Sequence, residues 1–360
     1  MRFRTIVLMA VLAALLAGAL PVLAAADPTA ALDYVASQQN PDGGFGSGFS
    51  PDSTISSTAD ALLAIVAAGA DPATFDQEGN TPVTYLAANA PAAASAGDLA
   101  KLIMAAIAAG ENPRAFGGVD SVAKLEALAG ASGRIGGETD TFVSHTLAVL
   151  ALASAGRPVP AASIDYVTAA QQEGGSWAWD GTAGTAGDTN TTAFAVQALI
   201  AAGEAASSDE VSNALAYYKG IQNDDGGWPY QNPSDFGTAT DANSTAVAIQ
   251  AILAAGQDPA GADWTAAGGG MPLSALEALQ NESGAFAWQA AVPDDNLLAT
   301  VQALPAVAGK VFPIATMDVG EAAAPPTVPA TGGAAVGPAL PLLLGGLALA
   351  GSGYALSRRK

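Results

Sequence analysis

Gln171-Gln172-Glu173-Gly174-Gly175-Ser176-Trp177 and Gln222-Asn223-Asp224-Asp225-Gly226-Gly227-Trp228 are two versions of one phrase: a glutamine, a glycine four residues on and an aromatic two residues after that. Gln39-x-x-x-Gly43-x-Phe45 and Gln280-x-x-x-Gly284-x-Phe286 repeat it. Another stretch keeps Gly133 but carries Ala129 and Ile135 in the outer positions, and the one after Tyr85 has lost the phrase. The amide can close a helix terminus, the glycine lets the chain reverse, and the aromatic covers the amide while filling the gap to the next unit. The phrase reads as a staple between structural repeats, not as chemistry.

On either side of each staple the chain reads as helix. Ala-rich apolar runs end in glycine at Gly69, Gly110, Gly156, Gly203 and Gly256, spaced 41, 46, 47 and 53 residues apart, and 297–309 makes a sixth. A period of this size signals a repeat architecture. Asn190-Thr191-Thr192 and Asn243-Ser244-Thr245 supply capping side chains at the starts of two such runs, and the terminal glycines permit a left-handed exit. These runs are apolar nearly all round, which places six helices in an inner layer. Segments 31–39, 82–89, 121–129, 162–172, 211–222 and 273–280 alternate apolar and polar residues at helical spacing and predict an outer layer.

The two ends read differently. Arg2 and Arg4 precede an apolar run ending in Ala24-Ala25-Ala26, so residues 1–26 are expected to be a signal peptide. The repeat domain follows at 27–312, then a linker at 313–333, a membrane helix at 334–356 and a basic cytoplasmic tail at 357–360. Val328-Pro329-Ala330-Thr331-Gly332, with the apolar and basic segments behind it, resembles the cell-wall sorting signal of monoderm bacteria. That resemblance implies cleavage between Thr331 and Gly332 by a sortase; without it, the tail is a plain membrane anchor. Either way the repeat domain is expected on the extracellular face of the cytoplasmic membrane or in the cell wall.

All 33 acidic residues lie between Asp27 and Glu321, where there are seven basic ones, leaving that stretch 26 charges negative. Such a surface repels nucleic acid, which is excluded as a partner. It is the surface of a soluble exposed protein, or a cation-binding face. With no cysteine, there is no disulfide framework, thiol nucleophile or zinc-thiolate site. No metal and no cofactor is expected. The Asn-Asp-Asp-Gly loop at 223–226 lacks the alternating ligands of an EF-hand.

Four in-register copies of the staple resemble the Gln-Trp motif of the prenyltransferase and squalene-cyclase repeat superfamily over residues 27–312. The resemblance implies an all-α fold, an α/α toroid (α6/α6 barrel) of six helical hairpins, whose inner helices start on one rim. Family chemistry is a separate matter. The Asp-x-Asp-Asp acid of squalene-hopene cyclases is missing; Asp224-Asp225 read as a turn and Asp294-Asp295 as the start of the last inner helix. The zinc site of protein prenyltransferases and the thioester of complement-type domains both need the absent cysteine. His145, the single histidine, occupies the place of Thr58, Thr192 and Thr245 in other repeats and reads either as a capping residue or as a lone acid/base at the barrel mouth.

The rim gathers Asp188, Asn190, Asp241, Asn243, Asp294 and Asp295, each of which alone is explained by capping. Trp179, Tyr230 and Trp288 follow the staple aromatics by two residues and are not needed by the staple, so they are candidates for stacking on a ligand. Three functions remain open. One is a binding module without catalysis, for a small apolar or flat ligand such as an isoprenoid or corrinoid, or for a glycan. The others are a terpenoid-cyclase-like or carbohydrate-active enzyme, and a surface adhesion scaffold. Cobalamin carriers share the toroid, but the β domain that completes them is not expected in residues 313–360.

Overall fold

The computed structural model describes residues 26–321 apart from 49 and 236. The expected signal peptide, the sorting motif with Thr331 and Gly332, the membrane helix and the basic tail lie outside the described residues. Among the described residues no helix is long and apolar enough to cross a membrane.

The described residues form twelve α-helices in alternation. The outer ones are α1 (Pro28–Ser37), α3 (Pro82–Asn89), α5 (Ser121–Glu126), α7 (Ala161–Ala169), α9 (Asp209–Ile221) and α11 (Pro272–Glu277). The inner ones are α2 (Ile55–Ala67), α4 (Ala96–Ala108), α6 (Phe142–Ser154), α8 (Thr189–Ala201), α10 (Ala242–Ala254) and α12 (Leu297–Val307). Each inner helix packs against the next, and α12 packs against α2, so the ring closes. The protein is an all-α toroid.

Local chemistry sets every inner helix. Thr54, Ser95, Thr141, Asp188, Asp241 and Asn296 each accept a first-turn amide at the N-cap. All six helices end at a positive-φ glycine, and the residue beyond it bonds back to the helix, as Ala70 N does to Ile65 O and Gln257 N to Ile252 O. The apolar faces of these helices supply most of the core.

The staples work through two sets of bonds. Gln222 Nε2 donates to Gly226 O at 2.9 Å and to Trp264 O at 3.0 Å, so one amide closes its own turn and grips the following hairpin. Gln39 does the same with Gly43 O and Phe75 O, and Gln171 with Gly175 O and Glu210 O. The second set uses the aromatic's own backbone: Phe45, Trp177, Trp228 and Phe286 donate N–H to Oγ1 of Thr58, Thr192, Thr245 and Thr300 on the inner helices. Each staple glycine faces the backbone of the next outer helix. A Cβ on Gly226 would meet Met271 C at 2.5 Å, and one on Gly284 would meet Ala30 O at 2.1 Å.

Three features depart from the sequence reading. Asp294 and Asp295 do not start the last inner helix; they lie in a hairpin of β1 (Phe286–Gln289) and β2 (Val292–Asn296), and Asn296 is the cap. The Pro-Asp-Asp run carries the look of a helix start, but cross-strand pairing of Asp295 with Ala287 and of Asn296 with Phe286 holds the segment extended. The outer helices α5 and α11 stop at Glu126 and Glu277, short of the expected 129 and 280, because the chain turns there into the staple. Residues 313–321, read as the start of a linker, continue from Phe312 as a strap that packs on the toroid: Ser154 Oγ donates to Ala315 O, Met317 N to Ser154 O, and Val319 N to Ala155 O. Arg157 ties the end of this strap down, through Glu126 at 2.8 Å and Glu321 at 3.0 Å.

Replacing Gln222 by Leu removes two bonds and leaves two carbonyls without a donor, an expected loss of about 2 kcal/mol in chemical denaturation. Gly226→Ala is expected to cost more, since it combines a φ of +95° with a backbone clash.

Candidate ligand-binding site

The ring of inner helices encloses a cavity made of three adjoining chambers. The mouth chamber, about 380 Å³, is lined by Asn190, Tyr230, Asp241, Asn243 and Trp288. Beside it, about 250 Å³ lies between the starts of α2 and α12. Below both is a deep chamber of about 230 Å³, to which all six inner helices contribute, walled by residues such as Leu63, Met104, Leu147, Phe194 and Val247. Gln302 borders all three. Phe312 of the strap forms part of the deep wall, its ring 6.4 Å from that of Phe194, and its N–H is held by Gln197 Oε1 at 2.8 Å. The cavity is thus polar and aromatic at the mouth and apolar at depth.

A polar belt separates the two levels. Lys101 Nζ lies 2.6 Å from Asp60 Oδ2 and 2.8 Å from Ser56 Oγ, and Asn243 Nδ2 donates to Gln302 Oε1 at 2.7 Å. Lys101 is the one basic residue lining these chambers, and it is already paired. None of Lys101, Asp60, Gln302 or Phe312 stood out in the sequence. Lys101 and Asp60 are 41 residues apart, and the packing of the consecutive inner helices α2 and α4 makes them adjacent.

Of the residues singled out by sequence, Asn190, Tyr230, Asp241, Asn243 and Trp288 meet in the mouth chamber. Asp188 is buried beside them as the cap of α8, with Oδ1 accepting from Thr191 N at 2.7 Å and Oδ2 from Thr191 Oγ1 at 2.8 Å. Trp179 is half exposed and lines none of the three chambers. Asp294 is exposed, and Asp295 accepts from Asn281 Nδ2 and Ser283 Oγ, both at 2.8 Å, bracing the loop behind the staple.

His145 is not at the mouth. It is fully buried, Nδ1 accepting from Ile135 N at 2.9 Å and Nε2 bonding Ser163 O at 3.1 Å. It makes to Ile135 the bond that threonine makes to the aromatic in four other repeats, and its second nitrogen also reaches Ser163 on the outer helix α7. Burial pushes its pKa down to about 4, so it is neutral.

Burial also pushes the Asp241 carboxyl up, to about 6, against the pull of hydrogen bonds from Ser244, Tyr230 and Asn243. Asp188 moves the same way for the same reason. Burial and the nearby Asp188 raise the Tyr230 phenol to about 12. The mouth therefore holds a carboxyl that is half protonated in mildly acidic solution, next to aromatic faces and amide groups.

Sequence families agree with this architecture. The squalene-hopene cyclase C-terminal domain matches residues 131–292, and the prenyltransferase alpha-alpha toroid domain matches residues 4–87. The chain belongs to the prenyltransferase and squalene-cyclase repeat superfamily. No curated protein sequence matches it. Among solved structures, this superfamily member is similar to the type II terpene cyclase MstE from Scytonema in complex with its product merosterolic acid A. The TM-score is 0.55 at 14% identity, over 78% of this chain and 95% of the cyclase. A protein from Actinoplanes aligns with a TM-score of 0.57 at 14% identity, over 79% and 99% of the two chains. Haptocorrin in complex with Cbi aligns with a TM-score of 0.49 at 17% identity, over 80% and 67%, too distant to bear on the ligand. At such identities the likeness is one of fold.

His145 and Asp241 give opposite pH dependences. His145 titrates lower in the folded than in the unfolded chain, so its contribution is present at neutral pH and is lost as pH falls from about 6.5 through 4, worth up to about 3 kcal/mol. Asp241 titrates higher when folded, so the fold gains as pH falls through about 6 towards 4. Asp241→Asn keeps a capping side chain and removes the buried charge. It is expected to raise stability by up to about 3 kcal/mol above pH 6, with the gain vanishing below about pH 4 in thermal unfolding across pH.

Proposed function

We propose that the protein is a binding module that takes an uncharged, largely apolar small molecule through the barrel mouth and holds it in the central cavity. The observation that carries this reading is the deep chamber: an apolar space reached past a polar, aromatic rim, the arrangement of small-molecule sites generally. Charge narrows the class. A phosphate or carboxylate would meet Asp60 and Asp241 with no free cation to receive it, because Lys101 is held by Asp60. A fully polar glycan would leave the deep walls unmatched. An isoprenoid or a flat polycyclic body fits both levels, with Tyr230 and Trp288 stacking on the part that stays at the mouth. The cyclase neighbour holds geranylgeranyl dihydroxybenzoate as substrate, an isoprenoid chain on an aromatic head, but with an acid function that this mouth disfavours. With the chain termini read as export and anchoring signals, the module presents its mouth outside the cell.

A second reading, terpenoid-cyclase-like catalysis, rests on Asp241: a carboxyl with a raised pKa lining the mouth could act as a general acid. It lacks the flanking carboxylates that strengthen the acid in squalene-hopene cyclases. Against a polyprenyl substrate, the catalytic reading requires a product that disappears in Asp241→Asn.

The binding reading is tested by thermal unfolding of the full chain with neutral isoprenoids, triterpenes, cobalamins, polyprenyl phosphates and wall oligosaccharides. A ligand at a hundred times its Kd adds about 2.7 kcal/mol, a rise in Tm of about 4 °C for a domain of this size. Neutral apolar compounds are expected to produce it, Val247→Phe to abolish it by filling the deep chamber, and Trp288→Ala to weaken it about tenfold. Absence of a shift with every compound, or one untouched by Val247→Phe, defeats the proposal.

A further inference from the structure

One polar group in the deep chamber has nothing to bond to. Gln250, two turns into α10, is 1% exposed among Leu147, Phe194, Val247 and Phe312, and its Oε1 has no hydrogen-bond partner. Internal repetition supplies a comparison. Gln197 holds the same place on α8, seven residues after Asn190 as Gln250 is after Asn243. It is equally buried but fully engaged: Nε2 donates to Ala193 O at 3.4 Å and Oε1 accepts from Phe312 N at 2.8 Å. The strap thus serves one glutamine of the pair and leaves the other, which also lines the chamber, with a buried Oε1 that nothing serves. Elsewhere on the wall Gln302 is matched by Asn243 and Lys101 by Asp60. Among the described residues lining this chamber, Gln250 Oε1 is the one buried side-chain polar atom left without a partner. An apolar side chain of that size would be easier to bury there, so the amide needs a reason to be present.

The geometry points to Gln250 as the acceptor for a hydroxyl at the buried end of the ligand, whose carbon skeleton packs on the surrounding apolar side chains. The inference rests on the reading of the cavity as a binding site and adds that the ligand is an alcohol, polar at the end that enters first. A carboxylate brings no donor and adds negative charge beside Asp60. An ammonium would be stripped of water in an apolar chamber whose one carboxylate is already paired. A hydroxyl both donates and accepts, matching an amide that offers both.

1-Hexanol and methyl pentyl ether are isomers, and only the alcohol donates a hydrogen bond. Calorimetric titration of the full chain with each is expected to favour the alcohol by about fivefold, the worth of one net hydrogen bond. Gln250→Leu, with Gln250→Met as a second variant should the first not fold, is expected to bind both isomers with equal affinity. Equal affinities in the unaltered protein, as expected if a trapped water already satisfies the amide, overturn the inference while leaving the cavity reading intact. So does an alcohol preference that survives in the variants. Binding of neither isomer overturns both.

Discussion

The side-chain amide of Gln280 donates to Asp27 O at 2.9 Å and accepts from Asp27 N at 2.7 Å, while also donating to Gly284 O at 2.9 Å. Through it the last hairpin holds the first, as Gln39, Gln171 and Gln222 hold their successors. A stack of hairpins joined by such bonds and left open would expose the apolar sides of its end helices, and repeat proteins of that kind need capping units. This one needs none, because α12 packs on α2 and Gln280 on Asp27. The inner helices can be apolar nearly all round because ring closure leaves no end face wet.

Closure also creates the cavity. Six helices of similar length around one axis cannot fill their own centre with alanine-rich faces, and the strap does so only in part, with Phe312 at the deep end. The mouth stays open because the N-caps of the inner helices occupy that rim with short polar side chains. The residues that make the helices thereby also make the site polar. Asp241 shows the cost: as a cap it is favoured by first-turn amides, yet burial raises its pKa, so the fold tolerates a poorly solvated carboxylate at neutral pH.

How much of this was legible in sequence follows from the range of the interactions. The staple, the capped inner helices and their glycine exits are set by residues within about seven positions of one another, and the toroid could be read from them. The β1–β2 hairpin was missed because Pro293-Asp294-Asp295 carries a helix-start pattern locally, and only pairing with 286–287 shows otherwise. His145 was recognisable as a stand-in for threonine from its register; what register could not show is that a longer side chain in that place also reaches Ser163. Of the mouth, the aromatic residues two beyond the staple were legible for Tyr230 and Trp288, since the staple leaves them without a packing task. The same logic gave Trp179, which the structure leaves outside the chambers. The belt of Lys101, Asp60 and Gln302 was beyond reach, because each is a polar residue on a largely apolar helix, and nothing within one helix says which residue it meets on another.

Repetition separates what the fold requires from what it merely allows. Where four repeats share a feature, as with threonine beneath the staple aromatic, the feature answers a demand every hairpin makes. Where two repeats share a residue but not its bonding, the demand differs. Gln197 and Gln250 occupy one register on two helices, in a segment where the flanking residues are nearly interchangeable. One of them anchors the strap that closes the deep end; the other keeps an unmatched amide oxygen buried in the wall of the chamber. Packing alone would favour leucine or methionine at Gln250, and helix propensity does not distinguish them from glutamine. Neither reason of fold accounts for the amide, which leaves the contents of the cavity as the reason it is there.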